Sequence, residues 1–432
     1  MDPVSIFILI VAVFFGLIFL CVPIFAALGV ASILGFILHG GFASLETIPD
    51  ILHRGLSSYS LLAVPLFILM GEVMARTSIG SRLFNMFALW TDRLPGGLGV
   101  ASVASSAVFG AMSGVSVAGA ATIGRFAIPE MLARGYRPSL AGGTVAAAGA
   151  LALLIPPSIG FVLYGEVAGQ SVGKLFLAAV LPAVLLTALM MTYVVVLSAI
   201  YPDMAPRHAT RCNWRDRWRS LLDIWAAVTI VLLVLGTIYF GIATPTEAAG
   251  IGALGAFGVA ALYREMTFTL LRDVLRSTAV TSVMILLILA AALMFGYVMT
   301  RLMVPQKIVM MVVGIDQPKW VILAMVLVFL VLIGMVLDIV SIIVITTPVL
   351  LPVITALGID PIWFGVVLIL TCEMAVITPP VGLNLYVIKG IAPDLSIGQI
   401  IRGALPFVGI ELLAILILIA FPQIALYLPS LR

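Results

Sequence analysis

Seventeen consecutive residues, VSIFILIVAVFFGLIFL from Val4 to Leu20, carry no charge, and comparable runs recur as IWAAVTIVLLVLGTIYF from Ile224 and WVILAMVLVFLVLIGMV from Trp320. Wound as helices, such runs approach the roughly 30 Å of a bilayer's hydrocarbon core, and they lack the alternation of a barrel strand. Lipid offers the backbone no hydrogen bonds, so the expected fold class is an all-α polytopic membrane protein. Composition agrees: 63% of the 432 residues are hydrophobic and 9% charged, with a mean hydropathy of +1.28. No Lys or Arg precedes Arg54, so the first run reads as a retained span rather than a cleaved signal.

Several chemistries are disfavoured. Cys21, Cys212 and Cys372 are scattered, which argues for small buried residues rather than a disulfide framework. His39, His53 and His208 are expected in loops at no metal-ligand spacing. A net charge of +3 carries no nucleic-acid footprint. GIGALG, Gly250 to Gly255, mimics a dinucleotide loop but sits in an apolar helix with no strand before it. GVSVA, from Gly114, lacks the last glycine of a nucleophile elbow, no Walker A sequence occurs, and no enzyme is expected.

Hydropathy divides residues 1–200 into spans near 4–21, 23–39 and 57–75, a Gly/Ser-rich hairpin at 97–132, a broken span at 138–168 and a span near 174–200. Residues 201–223 form a polar linker, assigned to the cytoplasm. From 224 to 432 the order repeats: spans near 224–240, 245–263 and 279–300, a hairpin at 320–354, a broken span at 361–391 and a last span near 400–428. Pro129 and Pro352, Gly135 and Gly358, Pro138 and Pro361, Pro156 and Pro379, and Pro157 and Pro380 each stand 223 residues apart, the mark of a duplication. Five crossings per half, an odd number, make the two repeats inverted relative to one another. With the N-terminus outside, segments 76–95, 130–137, 201–220, 264–276 and 389–402 hold 15 Lys and Arg against six outside, although 301–319, with Arg301, Lys307 and Lys319, dissents.

The double prolines in LLIPPSIG (Pro156, Pro157) and VITPPVGLNLY (Pro379, Pro380) interrupt helices where lipid tolerates little else. They read either as kinks that shape packing or as discontinuous helices whose freed backbone binds ions or substrate, with Ser158, Thr378 and Asn384 nearby. The first hairpin, dense in Gly, Ala and Ser, should turn at Ser113-Gly114-Val115-Ser116; its serines serve either close packing or a site. The offset carries Val115 onto Asp338 in MVLDIVSI, a carboxylate between apolar arms that calls for a cation or for a Lys or Arg partner. Hard oxygen ligands favour sodium, while Glu72, Glu166, Glu247, Glu373 and Glu411 keep protons open. Arg125 meets an anionic substrate, or serves as a topology signal or ion-pair member.

At these residues the sequence resembles a known family. SGVSVAGAATIGRFAIPEMLARGYRPSLAG, LLIPPSIGFVLYG, TPTEAAGIGAL, LPVITALGIDPIWFGV and ITPPVGLNLYVI are similar to the large membrane subunit of tripartite ATP-independent periplasmic (TRAP) transporters, over nearly the whole chain. The resemblance implies an elevator-type secondary transporter of the ion-transporter superfamily in the bacterial inner membrane, with scaffold and transport domains and surrounding lipid. It implies sodium-driven uptake of an organic acid, such as a C4-dicarboxylate or sialic acid. It also implies a small four-helix membrane subunit and a periplasmic substrate-binding protein. Carried over by motif, one sodium would lie among Ser113, Gly114, Val115, Ser116, Pro156, Pro157 and Ser158. Another would lie among Leu337, Asp338, Ser341, Thr378, Pro379, Pro380 and Gly382. Substrate would sit between them, with Arg125, Ser116, Asn384, Thr346 and Thr347 as candidates. The family usually reads Gly-Ser-Ser at the first tip, so Val115 removes a hydroxyl there. The alternatives are a proton-coupled or stand-alone carboxylate transporter of the same superfamily and, in another class, an ion channel.

Overall fold

The computed structural model describes residues 2–206, 213–314 and 317–431, and among these the secondary structure is all helical. The first half runs α1 (Pro3–Phe19), α2 (Ile24–Gly40), α3 (Ile48–Leu56), α4 (Ala63–Ala75), α5 (Ile79–Thr91), α6 (Gly97–Ser113), α7 (Ser116–Ala133), α8 (Pro138–Ala150), α9 (Ile159–Ala168) and α10 (Val172–Ile200). The second begins after α11 (Trp214–Asp223) with α12 (Trp225–Tyr239), α13 (Pro245–Leu262), α14 (Phe268–Arg301), α15 (Val304–Val313) and α16 (Lys319–Gly334). It closes with α17 (Ile339–Ala356), α18 (Pro361–Val376), α19 (Leu383–Ile391), α20 (Ile397–Ala420) and α21 (Gln423–Ser430).

Helix boundaries recur at the offset of the prolines. Ser116 and Ile339 open α7 and α17, Pro138 and Pro361 open α8 and α18, and Ala168 and Ile391 close α9 and α19, each pair 223 apart. One departure is clear. The first half is bent by 62° between Phe42–Leu56 and Tyr59–Ala75, at Ser57-Ser58, where the second half has the single 34-residue α14.

Five helices among the described residues are long and apolar enough to cross a membrane, or up to seven if each bent pair counts as one span. Shorter apolar helices flank the tips and breaks. The surface suits lipid: Phe19, Phe240 and Phe268 are about four-fifths exposed. The interior is built differently. From Leu140 to Ala150 every residue of α8 is buried, and so is every residue of α18 from Trp363 to Val376, so these two helices are enclosed on all sides.

Several sequence expectations are corrected. Segments 76–95 and 301–319, in which hydropathy predicts no span, contain α5 and α15; α5 hides Leu83, Phe84 and Met86 while its polar face lowers the mean hydropathy. The last span is two helices, α20 and α21, broken at Phe421-Pro422. His39 and His53 lie in the last turns of α2 and α3, not in loops, because α3 is short and amphipathic; His208 lies outside the described residues. Cys372 is buried, but Cys21 is exposed in a turn with φ of 61°, and Cys212 lies outside the described residues.

Small residues set the closest approach. A Cβ placed on Gly143 of α8 would overlap the backbone of Gly403 in α20, and one on Gly403 would overlap the Ser139 carbonyl. Two backbones in direct contact leave no room to relax. Gly143→Val should therefore destabilise the protein by at least about 2 kcal/mol, as overpacking of a close-packed core does, read as a lowered thermal midpoint in detergent.

Candidate functional site

At the first tip α6 ends at Ser113, Gly114 takes the left-handed conformation (φ 60°), and α7 starts at Ser116. Only glycine fits. A Cβ on Gly114 would stand 2.7 Å from the Pro157 carbonyl oxygen, so the tip rests directly on the first break. There the helix tightens into a 3₁₀ turn at Leu151–Leu153 and resumes as α9 at Ile159; both Pro156-Pro157 and Pro379-Pro380 are cis.

The second half reaches the same place. Ser116 Oγ donates to Asn384 Oδ1 at 3.0 Å, and Asn384 Nδ2 donates to the Ala146 carbonyl of α8 at 3.0 Å, all three residues being buried. Asn384 stands in the first turn of α19, just beyond the second break. Tip one, break one and break two thus meet. The N-terminal residues of the three helices starting there, Val115, Ser158 and Gly382, make no side-chain cap bond.

The second tip is built with a cap. Asp338 accepts from Val340 N at 3.0 Å, Ser341 N at 3.3 Å and the Ser341 hydroxyl, so its carboxylate closes the N-terminus of α17. Of the two partners its charge called for, the helix end takes the place of a Lys or Arg; none pairs with it among the described residues. Val381 N donates to the Met335 carbonyl at 3.3 Å, joining the second tip to the second break. Leu337 is buried, Gly382 is left-handed (φ 49°), and the Thr378 hydroxyl donates to Met374 O at 2.5 Å.

The hydroxyls fall into two groups. Ser102 and Ser105 donate to the preceding turn, to Leu98 O at 2.8 Å and Ala101 O at 2.7 Å, and serve packing. Ser113, Ser158 and Thr347 are buried with no hydrogen-bond partner. So is Thr144, the lone hydroxyl in GGTVAAAGA of α8, a signal available in the sequence and not used. Oxygen-only donors of this kind suit a hard cation such as sodium. Among the described residues no group of three or more His, Cys, Asp or Glu could hold a metal ion.

Two substrate candidates lie elsewhere. Arg125 is exposed on α7, nine residues beyond Ser116, about 13 Å along the helix. The Thr346 hydroxyl donates to Ile342 O at 2.7 Å, and the residue lines a ~500 Å³ apolar groove with Phe14, Phe295 and Phe329.

Residues 11–424 match the model of a family described as the tripartite ATP-independent periplasmic transporter, DctM component. The chain belongs to this DctM family. A DctM protein is a transport component, not an enzyme, and the apolar helices make this one a multi-pass membrane protein. It is 35% identical over 373 residues to the C4-dicarboxylate TRAP transporter large permease protein of Pseudomonas aeruginosa, covering 86% of each chain. It is 32% identical over 428 residues to the ectoine TRAP transporter large permease protein of Halomonas elongata, covering 98% of each. The YdaH transporter of Alcanivorax borkumensis shares the fold, with a TM-score of 0.61 over 90% of this chain and 91% of that one at 18% identity.

The bond between tip and break is open to test. Ser116→Ala and Asn384→Ala should each destabilise the DctM chain by about 1–2 kcal/mol, since each strands a buried polar group. The double variant should cost less than the sum, by a coupling of at least about 0.5 kcal/mol in denaturant unfolding.

Proposed function

We propose that this chain is the large permease subunit of a sodium-coupled secondary transporter that imports a small organic acid across the bacterial inner membrane. A soluble periplasmic binding protein delivers the cargo and a small membrane subunit stands beside the permease, a reading supported by the tripartite description of the family. The observation that carries the proposal is the meeting of three uncapped helix N-termini at one buried tip, while the fourth, α17, bears a carboxylate. Uncapped N-termini present free amides and the positive end of the helix dipole, which favours an anion. The partnerless Ser113 and Ser158 hydroxyls, with the carbonyls at the first break, supply oxygen ligands for one sodium; Asp338 and the carbonyls at the second break supply another.

In this reading the two halves are inverted repeats, supported by the 223-residue recurrence, and tips and breaks move together as an elevator between two faces of the membrane. Sodium couples to cargo because a ligand shifts a conformational equilibrium only by binding one state better. Relatives named for C4-dicarboxylates and for ectoine are of similar identity, so the permease tolerates varied cargo and the binding protein selects it.

Uptake into proteoliposomes should require an inward sodium gradient, the small subunit and the cognate binding protein. Equal uptake with choline in place of sodium under a proton gradient would refute sodium coupling. Asn caps helices about as well as Asp, so Asp338→Asn separates charge from cap. It should leave protein abundance unchanged and raise the sodium concentration for half-maximal uptake several-fold. Single cysteines at Ser116 and Ser341 should label from opposite sides of the membrane as the state changes; labelling from one side in every condition would remove the inverted topology.

A further inference from the structure

The polar segment between the two halves carries a helix of mixed character. α11 reads WRDRWRSLLD, five of its ten residues charged, and it leaves the axis of the uncharged, apolar α12 by 50°. A segment so charged does not continue that span into hydrocarbon, so α11 lies where the span ends, at the level of the lipid headgroups. Four of the chain's six tryptophans, Trp90, Trp214, Trp218 and Trp225, belong to this helix and its neighbours α5 and α12. Trp90 meets Trp218 edge-on at 5.9 Å and donates its indole N–H to the Arg217 carbonyl at 3.3 Å, while Trp225 meets Tyr263 edge-on at 6.4 Å. Trp and Tyr concentrate where a bilayer meets water.

Around α11 the side chains fall into four sectors, since residues four apart share a face and residues two apart stand about 200° from one another. Arg217 and Ser220 are buried on the side that packs against α5, and the Arg217 guanidinium lies 5.2 Å from the Trp214 ring centre. Trp214, Trp218 and Leu222 form the next sector, 54%, 62% and 71% exposed. Beside them stand Arg215 and Arg219, exposed and in no ion pair among the described residues. Asp216, two residues before Trp218, stands opposite the apolar flank, and Asp223 shares its side. A helix lying in the plane of a bilayer is ordered by depth in this way, with an apolar flank toward the acyl chains, cations at the phosphates and carboxylates toward water.

We propose that α11 lies in the headgroup layer and binds anionic phospholipid, with Trp214, Trp218 and Leu222 among the upper acyl chains and Arg215 and Arg219 on the phosphates. Charge selects the lipid. Two cations beside an apolar stripe, with both carboxylates turned away, favour a headgroup of net negative charge over a zwitterion. The contact ties the segment between the two halves to the membrane surface. It rests on the multi-pass character of the chain and on neither sodium coupling nor inverted repeats.

The test uses the purified full chain in phosphatidylcholine vesicles containing phosphatidylglycerol. Tryptophan fluorescence reads the site, because four of the six indoles lie there. Phosphatidylglycerol brominated high on its acyl chains should quench it more than phosphatidylcholine brominated at the same carbons. R215Q/R219Q should lose that preference, by roughly fivefold in apparent affinity for each arginine, whereas R215K/R219K keeps it. Both arginines are exposed, so the thermal midpoint should not move. A nitroxide on Leu222→Cys, in a background with Cys21, Cys212 and Cys372 replaced, should collide with oxygen dissolved in the bilayer, and one on Asp216→Cys with a water-soluble nickel complex. Equal quenching by the two lipids in the wild type, or a preference unchanged in R215Q/R219Q, overturns the proposal. So does a Leu222 label open to the nickel complex, or one shielded only when the small membrane subunit is added, which would make the flank a protein interface. None of these measurements uses a sodium gradient, so failure of sodium-driven uptake would leave them standing.

Discussion

Every backbone amide and carbonyl that this chain holds within hydrocarbon needs a partner, and the helix breaks are where that requirement is hardest to meet. The structure meets it at the first break by enclosing it, whereas Pro380 and Val381 in the second break are exposed. The helices leading into them, α8 and α18, are buried on all sides, and the first tip seats Gly114 on the Pro157 carbonyl. Non-helical backbone survives at the first break because protein surrounds it.

Enclosure also explains the polar chemistry. Away from water a hydroxyl or carboxylate without a partner is expensive, so each one retained marks a constraint other than packing. Ser102 and Ser105 answer theirs within the helix; Ser113, Ser158, Thr144 and Thr347 do not. The two tips, aligned residue for residue, differ where it matters electrically. Val115 leaves the N-terminus of α7 open, and Asp338 neutralises that of α17. Two tips 223 residues apart thus present helix ends of different charge.

Much of this was legible in the sequence, because the strongest signals were steric. Prolines and glycines punctuate at a constant interval and the apolar runs are long, which exposed the helical class and the recurrence. The turn at Ser113 to Ser116 shows in the same way, since Gly114 is the residue that tolerates its conformation. Amphipathic α3 and α5 were missed because a hydropathy average erases a helix with one polar face. The Ser116–Asn384 bond, 268 residues apart in the chain, has no local signature, since it depends on where the second break is delivered in space. The capping role of Asp338 was hidden for a different reason: a carboxylate satisfied by backbone amides looks, in sequence, the same as one awaiting a cation.

The contact between Gly143 and Gly403 has a mechanical meaning. Interfaces of large side chains can slip, since one set of rotamers exchanges for another and the gap stays filled. Backbone against backbone has no such gearing: a small slide brings a neighbouring Cβ into the main chain, and separation opens a void that nothing nearby can enter. The junction of α8 and α20 is therefore a weld. Any slip plane in this molecule must run through its bulkier seams and not between these two helices.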